Sequence, residues 1–358
     1  MAYAGDQKTR QSGLHIPDKV FFCVSAAIFA IVIFVLAYFT STLLGSDWAT
    51  YDMQRFYAMA QVIVNGATPY LSYQDNKPPL IYFTLAIPVF LGQKLLGGLA
   101  LVAACNFISA LLVLGMGWRL YGRFAGFLAG LLFAVNIAWA QGYFVLTEPF
   151  ALTFILLSTY VLIFSQNRWK YLLSGVLCGV GLGFKQYAIL LIPVMLYYMY
   201  RKKELRRTPE LLIGILIPLL FIFAAIFAVY GLNAGTASLY WSYGVAGSYV
   251  ADDNSGVSSY VAPNTVILAV DIMVAVAMFT SLLLFALANF VRDRPTTPVD
   301  EYFLIAGALF AATILIRQYL HYWILALPFI VLLCARQFRD KDPGIGDLKK
   351  DEIDPIYQ

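Results

Sequence analysis

Two charged residues in the first quarter of the chain, an acid and a lysine, are of types that could take part in catalysis or in binding a phosphate. Asp52 begins a segment with helical periodicity, and Lys77 directly precedes Pro78 and Pro79. Paired prolines fix the backbone and hold the preceding residue extended, so this lysine could meet a phosphate as a point charge. Each residue also has a simpler interpretation, because acids are favoured in the first turn of a helix and lysines anchor interfacial segments.

The composition indicates what kind of protein must position these residues. Apolar residues make up 61% of the 358 residues, charged residues only 12%, and the mean hydropathy is +0.75. A soluble domain carries about 25% charged residues. Apolar stretches such as 20–44, 211–232 and 265–291 would cross a hydrocarbon core of about 30 Å as helices, which also satisfy their own backbone. The predicted fold class is all-α, a polytopic helical integral membrane protein.

Positively charged residues predict the topology, because cationic loops stay in the cytoplasm. A cytoplasmic tail over 1–19, a transmembrane domain over 20–335 and a cytoplasmic tail over 336–358 place the basic clusters inside. The net charge of +4 comes from these short loops and does not indicate nucleic acid binding. The ten predicted spans are 20–44, 97–118, 124–142, 149–165, 171–184, 187–200, 209–232, 265–291, 302–316 and 320–335.

This topology depends on the first external loop, 45–96. Its apolar run Pro78–Leu91 must lie in the interface rather than cross the membrane, since a crossing would export every later basic cluster. The run is short and proline-rich, as an interfacial helix would be. Residues 52–65 are predicted to form a second interfacial helix with its apolar face toward lipid. That face comprises Met53, Phe56, Tyr57, Ala60, Ile63 and Val64.

Few charges remain on the predicted outer side, and most lie close to the ends of spans. The external cations are Arg55, Lys77, Lys94, Lys185 and Arg317, and nearby polar residues are Asp52, Asp75, Glu148, His321 and Tyr322. Each could be an ordinary helix-end acid or interfacial anchor, but together they could form one site. Asp271 lies within a predicted span and is either a site residue or a helix-to-helix hydrogen-bonding group. Asp252 and Asp253, in the later external loop 233–264, are either a solvated tip or part of an acceptor or metal site.

Several motifs together resemble the integral-membrane glycosyltransferases of the GT-C superfamily. The similar branch contains the dolichyl-phosphate-mannose–protein mannosyltransferases and the aminoarabinose–lipid A transferases. The lysine–diproline motif is the most specific element. In chain order the motifs are Asp52-(three residues)-Phe56-Tyr57-Ala58, Lys77-Pro78-Pro79-Leu80, Arg119-Leu120-Tyr121-Gly122, Thr147-Glu148-Pro149, Gly181-Leu182-Gly183-Phe184-Lys185 and His321-Tyr322-Trp323-(four residues)-Pro328.

The resemblance implies a GT-C-like fold and transfer of a hexosyl or pentosyl group from an undecaprenyl- or dolichyl-phosphate carrier, with inversion. It implies that Asp52 acts as general base, with Glu148 as the second catalytic acid. The carrier phosphate would be held by Lys77, Lys185 and Arg317, and the supporting residues would be Arg55, Asp75, His321 and Tyr322. The expected partners are the lipid-linked donor, a lipid, glycan or protein acceptor, and membrane lipids. The site is expected on the outer face of the cell (inner) membrane.

The chain also departs from the family pattern. Relatives often have a second acid where Met53 stands and an acid where Asn76 stands, with Asp75 one step further back. These departures leave the use of a divalent cation and the identity of the acceptor open. Two other functions also remain: a transporter or flippase of a lipid-linked saccharide, which needs cations but no catalytic base, and a non-catalytic membrane subunit.

Overall fold

A computed structural model describes residues 17–43, 51–245, 279, 281–289, 291–292, 297–316 and 319–339. These residues form helices and their connections, without a β-strand among them. Short 3₁₀ turns, Gln186–Leu190 and Leu320–Tyr322, precede two of the helices. The helices are α1 Asp18–Leu43, α2 Tyr51–Val64, α3 Leu80–Phe90, α4 Lys94–Tyr121, α5 Arg123–Asn136, α6 Thr147–Phe164, α7 Lys170–Phe184, α8 Leu191–Arg201, α9 Thr208–Leu239, α10 Pro298–Ile316 and α11 Trp323–Ala335.

Helices among the described residues overlap nine of the ten predicted spans along most of their length. Among the residues that the structure describes, five segments are long and apolar enough to cross a membrane: Asp18–Thr40, Lys94–Tyr121, Thr147–Phe164, Leu205–Gly244 and Leu320–Phe338. Helices α5, α7, α8 and α10 overlap four further predicted spans, and most of the remaining one, 265–291, lies outside the described residues. The predicted fold class, a polytopic helical integral membrane protein, is confirmed.

Helix α3 is too short to cross a membrane. Its 11 residues extend about 16 Å at 1.5 Å per residue, roughly half of a hydrocarbon core. The chain then turns at Gly92, whose φ of +70° suits a residue without Cβ, and enters α4. An element of this length fits the prediction that Pro78–Leu91 lies in the interface.

The apolar stripe of α2 contacts protein, so the prediction that it faces lipid is wrong. Met53, Phe56 and Ala60 are buried in one cluster with Tyr82 and Leu85 of α3. The rings of Phe56 and Tyr82 meet edge to face with centroids 6.1 Å apart. Helical periodicity identifies an apolar face, but it does not say whether lipid or protein covers that face.

Helices α7 and α9 approach each other through glycines. A Cβ at Gly175 would lie 2.2 Å from the backbone oxygen of Leu211, and one at Gly214 would lie 2.3 Å from that of Leu172. Small residues permit such close helix contact in a membrane. Helix α9 breaks at Gly231, whose φ is +84°, and its last turns begin the predicted external loop 233–264, which lies outside the described residues from 246 onward.

Alternating helix directions gather different charges at the two ends of the bundle. One end holds Lys77, Glu148 and Lys185, at the starts of α3 and α6 and the end of α7. The opposite end, called here the basic end, is rich in Arg and Lys. Its ion pairs are Arg123–Asp18, Lys170–Glu204, Arg201–Glu301, Arg207–Glu210 and Arg336–Asp300.

Candidate active site

A buried ion pair lies where α6 and α7 meet. Glu148 occupies the first turn of α6, and Lys185 directly follows α7. The two helices are antiparallel neighbours, so the helix dipoles favour the acid at one terminus and the base at the other. Nζ of Lys185 lies 2.6 Å from Oε1 of Glu148, and the two side chains are 4% and 1% exposed. The two residues that the sequence placed on the same side are therefore in direct contact.

Aromatic rings enclose the Lys185 ammonium. Its Nζ lies 5.2 Å from the ring centroid of Tyr187 and 4.9 Å from that of Tyr322, distances at which a cation is attracted to a ring face. Burial lowers the pKa of Lys185, and the adjacent Glu148 carboxylate opposes that shift. The charge of this lysine therefore depends on a nearby anion.

His321 approaches the same carboxylate from the start of α11. Its Nε2 lies 3.8 Å from Oε1 of Glu148, and its Nδ1 lies 3.3 Å from Oε1 of Gln141. Gln141 has a φ of +61°, a left-handed conformation that is strained for a residue other than glycine. The next residue, Gly142, is held by a hydrogen bond of 2.8 Å from Asn106 Nδ2 to its carbonyl oxygen. A strained turn thus sets the position of the histidine.

Hydrogen bonds to the backbone fix the segment that carries Lys77. The Tyr70 hydroxyl donates to the carbonyl oxygen of Lys77 at 2.8 Å. Gln186 donates to the carbonyl oxygens of Asn76 at 2.6 Å and Ser242 at 2.8 Å. Because Gln186 directly follows Lys185, one side chain links the Lys77 segment to the buried ion pair.

The Lys77 side chain and Asp52 complete the cluster. Nζ of Lys77 donates to Oδ1 of Asn76 at 3.2 Å, and its charge interacts with those of Glu148 and Lys185. Asp52 is partly buried in the first turn of α2, and its charge interacts with that of Lys185. The acid of the first loop and the acid of α6 therefore share one end of the bundle.

Arg55 and Asp75 form a second ion pair beside the site. Nη2 of Arg55 lies 3.1 Å from Oδ1 of Asp75, and Asp75 is 2% exposed. The same carboxylate oxygen accepts a hydrogen bond of 2.8 Å from the backbone N–H of Asn76. These contacts stabilise the turn that presents Lys77.

Other predicted residues lie outside the described part of the chain. They are Arg317, expected to bind phosphate, and Asp252, Asp253 and Asp271. Among the residues that the structure describes, no three His, Cys, Asp or Glu side chains come together as a metal site would require.

Sequence reasoning missed four residues of this site: Tyr70, Gln141, Gln186 and Tyr187. Gln186 and Tyr187 directly follow Lys185, so attention to the neighbours of that lysine would have found them. Tyr70 and Gln141 have φ values of +64° and +61°, and their residue types do not signal left-handed backbone, which is enriched in Gly, Asn and Asp.

Comparisons with known proteins support the resemblance. Residues 76–230 match the model of the dolichyl-phosphate-mannose-protein mannosyltransferase family. The fold matches the crystal structure of ArnT from Cupriavidus metallidurans bound to undecaprenyl phosphate, with a TM-score of 0.62 and 15% identity over 92% of this chain. The resemblance to this glycosyltransferase branch is confirmed.

The family match covers part of this chain, and the structural match covers part of the ArnT chain. This chain spans 62% of the length of the ArnT chain, and a search of curated proteins gave no match. The family match contains Lys77, Glu148 and Lys185, whereas Asp52 and His321 fall outside it. At this identity, the likeness to ArnT shows a shared fold alone.

Proposed function

We propose that the protein is a membrane glycosyltransferase that transfers a sugar from a polyprenyl-phosphate carrier to a hydroxyl group of a lipid, glycan or protein. The meeting of Asp52, Lys77, Glu148 and Lys185 at one end of the bundle carries this proposal. The description of the matched family names dolichyl-phosphate-mannose, and the similar ArnT structure holds undecaprenyl phosphate. Both compounds are polyprenyl phosphates.

In the proposed reaction, the acceptor oxygen attacks the anomeric carbon as the bond from that carbon to the phosphate oxygen breaks. Negative charge builds on the departing phosphate, where Lys77 and Lys185 stabilise it. Asp52 takes the proton of the acceptor hydroxyl as general base. A single displacement of this kind inverts the anomeric centre.

We assign Glu148 the role of counterion rather than base. Its Oε1 pairs with Lys185 at 2.6 Å in a buried position, and its Oε2 accepts a hydrogen bond from the Thr147 hydroxyl at 3.1 Å. A carboxylate tied in this way is poorly placed to receive a substrate proton. It stabilises the charged form of Lys185 and fixes the orientation of that side chain in a buried position.

An apolar groove between α3 and α9 suits the carrier chain. Its volume is about 250 Å³, and it begins at Leu80, just beyond the Lys77-Pro78-Pro79 element. Prenyl units are as apolar as the lipid around them, so the groove would hold the chain through van der Waals packing. Leu80, Phe83, Phe221, Ile222, Ala225, Ile226, Val229 and Tyr230 line the groove.

The site is proposed to face the outer side of the cell membrane. It lies at the end of the bundle opposite the basic end, and basic loops are retained in the cytoplasm. Both termini would then be cytoplasmic, with donor and acceptor meeting at the outer surface.

The test is sugar transfer by the purified protein in detergent. Labelled polyprenyl-phosphate sugar is supplied with an acceptor-containing membrane extract from cells that lack the protein. We expect transfer by the wild-type chain, and a loss of about 100-fold or more for Asp52→Asn, the range for removing a general base. We expect a similar loss for Lys77→Ala.

Lys94→Ala is the matched control, because it removes another cation of the same loop whose side chain is not part of the site. Full transfer by Asp52→Asn and Lys77→Ala at normal protein levels would overturn the proposal. Movement of labelled lipid in sealed vesicles without transfer in detergent would indicate a flippase instead.

A further inference from the structure

The pairing of Lys185 raises a question about charge balance. In the structure its ammonium contacts Glu148 at 2.6 Å, and both side chains are almost fully buried. Turning this lysine toward a donor phosphate would leave a buried carboxylate partly unpaired, which is costly. His321 is placed to replace it, with Nε2 3.8 Å from the same Oε1 of Glu148.

The orientation of the His321 ring favours this exchange. The side-chain oxygen of Gln141 lies 3.3 Å from Nδ1. An amide oxygen only accepts hydrogen bonds, so this contact favours the tautomer with its hydrogen on Nδ1, and Nε2 faces the carboxylate. Tyr319 stacks on the ring with centroids 5.3 Å apart, and Tyr322 meets it edge-on at 4.9 Å. With Nδ1 donating to Gln141, Nε2 binds the carboxylate well only in the doubly protonated imidazolium.

Among the described residues, the charges that act on His321 come from four parts of the fold. Burial of the ring opposes the imidazolium most strongly. Glu148 on α6 and Asp52 on α2 favour it, whereas Lys185 after α7 and Lys77 before α3 oppose it further. A bound phosphate adds negative charge and neutralises the effect of the two lysines. Donor binding therefore changes the balance in favour of a proton on the histidine.

We propose that binding of the donor phosphate is coupled to the uptake of one proton from solvent by His321. The imidazolium then pairs with Glu148, and Lys185 turns to the phosphate. This inference rests on the proposed function, because it uses the same phosphate site. His321 acts through Glu148 and Lys185 and is therefore a positioning residue.

The test is calorimetric binding of undecaprenyl phosphate to the full-length protein in detergent. Titration in two buffers of different ionisation enthalpy measures the protons taken up. We expect wild type to take up more protons than His321→Gln, by a difference approaching one. Ionisation of the free phosphate contributes equally to the proton uptake measured for the two proteins. The difference in uptake therefore reports the proton bound by His321.

The pH dependence of the dissociation constant gives an independent measure. Between pH 6.5 and 8.5, the affinity of the wild type should fall more steeply with rising pH than that of His321→Gln. The difference in slope should be up to about tenfold per pH unit, as one linked proton requires. A role in packing alone would weaken binding equally at every pH. Equal proton uptake and equal slopes for the two proteins would overturn the inference.

A second variant keeps the test decisive if His321→Gln fails to fold. Gln141→Glu places a carboxylate beside Nδ1, which favours the imidazolium before the donor arrives. We expect this variant to bind undecaprenyl phosphate with less proton uptake than wild type, and unchanged uptake would contradict the inference. Absence of binding by wild type would instead contradict the proposed function.

Discussion

Asp52 and Glu148 are both acids at one end of the bundle, yet their surroundings differ. Glu148 is 1% exposed and in contact with Lys185, whereas Asp52 is partly exposed in the first turn of α2. An acceptor hydroxyl can approach a partly exposed carboxylate, but not one enclosed by Lys185, Thr147 and His321. The proposed division into one base and one counterion follows from this difference.

The ion pair itself makes a prediction about stability. Lys185→Met should lower the unfolding free energy by about 3–5 kcal/mol, because it leaves Glu148 buried without its cation. The double variant Glu148→Gln with Lys185→Met should recover much of that loss, since no unpaired charge remains. Thermal unfolding of the wild type, Lys185→Met, Glu148→Gln and the double variant in detergent measures the coupling, and additive losses would contradict the buried-pair account.

The turn before Lys77 makes a prediction about donor binding. Asp75→Asn removes the charge that pairs with Arg55 at 3.1 Å and should loosen the segment that presents the lysine. We expect weaker binding of undecaprenyl phosphate, by about tenfold, with a near-normal rate at saturating donor. Kinetics over a range of donor concentrations test this, and a lower saturated rate with unchanged affinity would indicate a direct catalytic role for Asp75.

Among the elements, α7 and α9 together set the position of the turn that contains Lys185 and Gln186. Helix α7 ends at Phe184 and is followed by Lys185 and Gln186. The last turns of α9 lead to Ser242, whose carbonyl oxygen accepts a hydrogen bond of 2.8 Å from Gln186. The backbones of the two helices come close together at Gly175 and Gly214. Any increase in their separation would therefore shift the Lys185 turn.

This contact can be tested with a single methyl group. Gly175→Ala places a Cβ 2.2 Å from a backbone oxygen, and neither helix backbone can move away without losing contacts. We expect destabilisation of about 1–3 kcal/mol or more and reduced transfer. Gly115→Ala is the matched control, since its Cβ would lie 3.7 Å from Tyr160 in ordinary contact. Equal melting temperatures for the two variants would show that the α7–α9 contact is not tight.

At the scale of the whole molecule, the alternating helix directions place the candidate site at one end of the bundle and the basic ion pairs at the other. The starts of α3, α6 and α11 and the end of α7 bring Lys77, Glu148, His321 and Lys185 together. The other end holds five Arg or Lys ion pairs among the described residues. Basic loops are retained in the cytoplasm, so this separation supports the proposed location of the site on the outer side.

Labelling from the two sides of the membrane tests that assignment. Gln74→Cys lies beside the site and Gln166→Cys lies in the α6–α7 connection of the basic end, and both positions are exposed. An impermeant maleimide should label Gln74→Cys in intact spheroplasts and Gln166→Cys in inverted vesicles, above the background of the wild-type chain. Labelling of both positions from the same side would contradict the topology.

The sequence alone predicted the class of the protein, most of its helices and several residues of the site. Composition excludes a soluble fold, because charged residues are too scarce, and the lengths of apolar runs mark the spans. The Lys77-Pro78-Pro79 element was identified because proline restricts the backbone locally. These properties depend on neighbouring residues along the chain, so they can be predicted without tertiary structure.

Only the tertiary structure decided which side chains meet. It pairs Glu148 with Lys185, brings His321 to the same oxygen and directs Arg55 to Asp75. It also covers the apolar stripe of α2 with protein, where periodicity had suggested lipid. These outcomes depend on distances between residues far apart in sequence and on strained turns that residue type does not signal. The sequence shows which residues are charged and which faces are apolar. Packing of the helices determines which residue pairs with each charge and whether lipid or protein covers each apolar face.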